Sequence, residues 1–70
     1  MKVYKIMYYR GYSIAEAIVC ANSTEEAEDT LTVYAQENKD IVSDFKTSKM
    51  EELTSIVSSP IVINDVELRY

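Results

Sequence analysis

Large apolar side chains alternate with others through the first twenty residues. Tyr4, Ile6 and Tyr8 interleave with Lys5, Met7 and Tyr9, and Ala15, Ala17 and Val19 interleave with Ile14, Glu16 and Ile18. A period of two places each set on one face of an extended chain. This predicts strands over 2–10 and 13–21, joined at Gly11-Tyr12. Glycine first in a two-residue loop suits a type II′ turn, which needs positive φ there. Pairing Arg10 with Ser13 then sets Tyr8 against Ala15, Ile6 against Ala17 and Tyr4 against Val19 on one face. The other face carries Tyr9 with Ile14, Met7 with Glu16, Lys5 with Ile18, and Val3 with Cys20. Large residues opposite small ones on the first face predict a helix lying across the smaller side.

That helix follows at once. Ser23 and Glu26 stand at capping-box spacing: the Ser23 hydroxyl accepts from the Glu26 amide, and the Glu26 carboxylate reaches back to the Ser23 amide. Ala27, Leu31, Tyr34, Ala35 and Asn38 fall on one helical stripe with Thr30 at its edge, while Glu25, Glu26, Glu28 and Asp29 crowd the first two turns, where the helix dipole favours carboxylates. Asn38-Lys39 supplies an end, so the helix is expected over about 24–38.

Beyond residue 40 the pattern loosens. Ile41, Ser43 and Phe45 alternate as one face of a strand, and an extended reading places that strand near 44–53. The alternative for 48–57 is a loop or a short helix opened by Ser48 and lined by Met50, Leu53 and Val57. The strand is preferred because the chain must return across the sheet before its last strand. Ser55 to Pro60 is a polar connection. The stretch 61–70 alternates again, with Val62, Val66, Leu68 and Tyr70 on one face and Ile63, Asp65, Glu67 and Arg69 on the other. The expectation is a single domain over residues 1–70: an α+β fold, a four-stranded antiparallel sheet (β-β-α-β-β) with one helix packed on one face. A right-handed crossover places the third strand beside the first, for an order 2-1-3-4.

Composition narrows the chemistry. Twelve Asp or Glu against seven Lys or Arg give a net charge of −5. The cations are dispersed, so direct nucleic-acid binding through phosphate neutralisation is not expected. One cysteine forbids an internal disulfide framework, and small secreted domains are usually disulfide-dense, so a cytoplasmic location is expected. The opening residues lack signal-peptide order, and no apolar run is long enough to span a membrane. With no histidine, Ser-His-Asp and Cys-His arrangements are excluded. A lone cysteine cannot build a zinc site, and a lone glycine cannot build a phosphate loop or a dinucleotide fingerprint. Glu25 and Asp29 at i, i+4 read as solvated helix-start charges rather than a cation site. No catalytic, cofactor or metal residue is assigned, and the chain is expected to be non-enzymatic.

Val19, Ala21, Asn22, Ser23, Glu25, Glu26 and Ala27, at the junction of strand and helix, form a pattern that resembles small uncharacterised bacterial and phage-encoded proteins. Lys2-Val3-Tyr4-Lys5-Ile6 and Met50-Glu51-Glu52-Leu53 look similar as well. The resemblance implies this fold and a microbial or mobile-element origin. Those proteins have no agreed activity, so it carries no functional residue across.

The remaining signal is aromatic. Of six tyrosines, Tyr4, Tyr8 and Tyr34 belong to the core, and Tyr9 and Tyr12 to the opposite face or the hairpin tip. With Val3, Met7, Ile14, Ile18 and Cys20 they form an apolar sheet face that one helix cannot cover. Contiguous patches of this kind call for a partner. The expected role is a protein-interaction module self-associating as a homodimer through that face, which also relieves the shallow burial of a short chain. The alternative is an acidic phage or mobile-element inhibitor of anti-CRISPR or anti-restriction type. There Glu25, Glu26, Glu28, Asp29 and Glu37 would imitate phosphates for a nucleic-acid enzyme.

Overall fold

The computed structural model describes residues 1–52 and 60–68, together with all but a few side chains near the end of the last strand. Its elements are β1 (Lys2–Arg10), β2 (Ser13–Ala21), α1 (Thr24–Glu37), β3 (Val42–Glu52) and β4 (Ile61–Leu68). They build one antiparallel sheet in the order β3-β1-β2-β4, with the helix on one side.

The β1–β2 hairpin has the expected register, from Arg10 opposite Ser13 through Tyr4 opposite Val19 to Lys2 opposite Ala21. Gly11 has φ 59°, and Tyr12 is not among the residues with positive φ, the pattern of a type II′ loop. The Gly11 amide donates to the Ile41 carbonyl at 2.9 Å, tying the hairpin tip to the entry of β3.

Tyr4, Ile6 and Tyr8 from β1 and Ala15, Ala17, Val19 and Ala21 from β2 form one buried cluster with Ala27 and Leu31 of the helix. The alanine row leaves room for a helix backbone to approach, and α1 packs most extensively on β2. Ala35 completes the buried helical stripe, and Tyr34 packs against its margin.

Both helix ends are capped. Ser23 accepts from the Glu26 amide at 3.1 Å, a contact worth about 1 kcal/mol in comparable caps. Glu26 reaches one residue further than a strict capping box requires, accepting from the Asn22 amide at 2.8 Å and from Asn22 Nδ2 at 3.1 Å. At the other end Lys39 adopts φ 60°, the Lys39 amide donates to Gln36 O, and the Asp40 amide donates to Ala35 O. This is a Schellman closure with lysine at the left-handed position where glycine is usual.

The flanking strands differ from expectation in three respects. β3 lies beside β1 as predicted, but β4 pairs with β2 rather than with β3. The free edge of β2 makes the apolar pairs Val19 with Val62 and Cys20 with Ile61, whereas β3 offers Lys46, Ser48 and Lys49. Apolar cross-strand pairs favour the former.

Second, β3 starts earlier than predicted and its register against β1 shifts twice. Near Asp44, which has φ 57°, two residues oppose Tyr8. This bulge separates Ser43 from Phe45, which had been expected on one face. Ser43 pairs with Tyr9, while Phe45 packs edge-on against Tyr8 on the helix side with ring centroids 6.3 Å apart. Asp tolerates the left-handed conformation better than most residues, so the bulge is accommodated there at little strain.

Third, β4 shifts register between Val62, opposite Val19, and Asn64, opposite Ile18. Ile63 is the extra residue. Val62 therefore joins the helix side, while Val66, opposite Glu16, belongs to the other face, so the predicted common face of Val62 and Val66 does not form. Met50 is extended, which rules out the short helix at that residue. Leu53 and Val57 of that alternative, together with Arg69 and Tyr70, lie outside the described residues.

Candidate interaction face

Strand alternation decides which side chains escape the helix. Residues paired across an antiparallel ladder share a face. The face away from α1 therefore carries Val3, Lys5, Met7 and Tyr9 from β1, and Ile14, Glu16, Ile18 and Cys20 from β2. β3 adds Ser43, Lys46, Ser48 and Glu51, and β4 adds Ile61, Asn64 and Val66. The face is graded: polar along β3, mixed along β1, and predominantly apolar along β2 and β4.

Exposure divides the predicted interface residues. Met7 and Tyr9 are exposed, Tyr9 at 40%, while Ile14 and Ile18 are half-buried. Val3 and Cys20 belong to the same face but are buried, Cys20 at 3% exposure, so neither offers surface to a partner. Tyr12 is fully exposed at the hairpin tip, beyond the sheet itself. The accessible patch is thus Met7, Tyr9, Ile14 and Ile18, extended by Ile61 and Val66, which is 48% exposed. Sequence alternation missed Val66 because the bulge at Ile63 inverts its face. The unbroken apolar run Ile61-Val62-Ile63 gives no phase from which to foresee it.

Lys5 and Glu16 sit diagonally in the middle of the patch, one from each central strand.

The helical carboxylates are not equivalent. Glu25, Asp29 and Glu37 are exposed. Glu26 is occupied by Asn22 at the cap, and Glu28 turns toward β3, where its Oε2 accepts from the Thr47 hydroxyl at 2.6 Å. The five residues predicted as one acidic face thus divide into three free for contact and two tied to the fold. On β3 the Lys49 ammonium donates to Glu52 Oε1 at 3.1 Å, and this contact holds the Glu52 carboxyl below the usual glutamate range.

Among the described residues no three Cys, Asp or Glu side chains come together in a group able to hold a metal ion, and no helix is long and apolar enough to cross a membrane. No family model matches the chain, and no curated protein or solved structure matches it.

Proposed function

We propose that the protein is a non-enzymatic interaction module that self-associates through the open face of its sheet. One observation carries the reading. The exposed or half-buried side chains of Met7, Tyr9, Ile14, Ile18, Ile61 and Val66 gather around Lys5, Glu16 and Asn64 on a face that α1 does not cover. Two such faces stacked about a two-fold axis, with sheets about 10 Å apart, would bury the patch in both copies. The chain gains most from this because a domain of this size buries only about 60% of its unfolded surface. The single cysteine, buried and without a partner cysteine in the chain, fits a reducing cytoplasm.

Light scattering on a sizing column tests the proposal. Wild-type protein is expected at twice the chain mass, and Ile18→Lys at the chain mass with its circular dichroism unchanged. A wild-type monomer, or a dimer unaffected by Ile18→Lys and by Val66→Lys, overturns it.

The second reading, an acidic inhibitor of a nucleic-acid enzyme of microbial or phage origin, is supported by Glu25, Asp29 and Glu37, which are exposed on the helix. It ranks lower because Glu26 and Glu28 are occupied internally. It predicts salt-sensitive capture of a basic enzyme that disappears when these three become Gln or Asn.

A further inference from the structure

The two edges of the sheet are finished differently. β3 is blunted as natural edges usually are: its register shifts twice, Asp44 is left-handed, and Lys46 and Lys49 stand along it. β4 has one register shift, no lysine or arginine between Ile61 and Leu68, and no backbone hydrogen bond from a described residue on its outer side. Among the described residues no strand pairs with this outer edge, which can therefore act as a template for one.

A groove of about 390 Å³ lies between α1 and the start of β4, lined there by Pro60, Ile61 and Val62. Val33 on α1, itself 54% exposed, faces Pro60 and Val62 across it. Glu37 lies at one end of the groove, and it continues past Asp29 in an adjoining hollow. Neither carboxylate has an ion pair among the described residues. Apolar walls with acidic ends suit a particular side chain, one with a long aliphatic stem and a cationic head.

We infer that the α1–β4 groove receives an extended segment of a partner protein that joins β4 as a fifth strand and alternates basic with apolar side chains. Main-chain hydrogen bonds to the β4 edge hold the segment, as in other strand-addition complexes. Its Lys or Arg side chains turn to the helix side, where their stems cover Val33 and Val62 and their heads reach Asp29 and Glu37. Its alternate apolar residues turn to the open face and lengthen the patch beyond Val66. The groove shares only Ile61 with the open-face patch, so the inference is tested on a variant whose open face is blocked.

The test uses full-length protein carrying Ile18→Lys and a nonapeptide alternating Lys with Val, capped at both ends. Saturable binding is expected, with amide shift changes confined to β4 and to residues 29–37 of α1. Asp29→Asn with Glu37→Gln should weaken it roughly tenfold at low salt. The same peptide with alternate backbone amides methylated should not bind. Equal binding of a Glu-Val peptide, shifts along β3, or no saturation by about 1 mM overturns the inference. So does self-association of Ile18→Lys with shifts along β4 in the absence of peptide, which would assign the edge to a second copy.

Discussion

The two faces of the sheet are built from the same two central strands and meet opposite fates. On the covered face, Tyr4, Ile6 and Tyr8 stand beside Ala15, Ala17 and Val19, and all six are buried under α1. On the open face, one residue away in each case, Lys5, Met7 and Tyr9 stand beside Ile14, Glu16 and Ile18, all half-buried or exposed. These six side chains are apolar or aromatic with matched volumes, and the charges on that face, Lys2 and Arg10, stand at the two ends of β1. The open face is largely apolar along β2 and β4, and it keeps one lysine and one glutamate near its centre. Stability therefore belongs to the first set and the proposed association to the second, although neighbours in the chain alternate between them.

The largest effect should come from the covered face. Leu31 is fully buried where the helix meets the sheet, and Leu31→Ala should cost about 2–5 kcal/mol in urea unfolding. A domain this small has little more than that to lose, so extensive unfolding at room temperature is an acceptable outcome. A loss below about 1 kcal/mol would mean that the helix does not seal the core as described.

Adjacent residues give a sharper test. Ala17 is fully buried and Ile18 is not. Ala17→Leu should push the helix from the sheet and cost about 1–3 kcal/mol or more. Ile18→Ser should weaken self-association while altering the monomer's unfolding free energy by less than about 1 kcal/mol. Equal losses of monomer stability from both would erase the distinction between the faces.

The smallest effect concerns the blunted edge. Lys49 depresses the Glu52 pKa in the folded protein. The contribution is therefore present above the unfolded glutamate pKa and is lost as pH falls through the lower folded value. Lys49→Met should return the Glu52 titration, followed by carbon-13 NMR, to the ordinary glutamate range and flatten that part of the acid-stability profile. Because the Glu52 side chain stands in solvent, the change in stability should be slight.

The hairpin, the helix and the core were legible in the sequence because each rests on local or near-local signals. Gly11 fixes the turn, the turn fixes the register, and the register fixes which residues face α1. Ser23 and Glu26 mark the start of the helix, although the partner of Glu26 shifted to Asn22. The outer strands were legible only as strands. Each bulge inserts a residue that resets alternation, and neither Asp44 nor Ile63 announces itself by type. The placement of β4 depended on a choice between two distant edges, which local periodicity does not encode. The same limits shaped the candidate site. Met7, Tyr9, Ile14 and Ile18 followed from hairpin register, while Val66 required the β4 bulge. The burial of Val3 and Cys20 is a tertiary property that alternation cannot report.

Isotope-filtered NMR on a mixture of labelled and unlabelled protein tests the central claim most directly, because it detects only contacts between copies. The account predicts intermolecular cross-peaks among the methyl groups of Met7, Ile14, Ile18 and Val66 and the ring of Tyr9. Intermolecular cross-peaks confined to Val33 or Ile41, on other surfaces of the molecule, would contradict it, as would their complete absence at millimolar concentration.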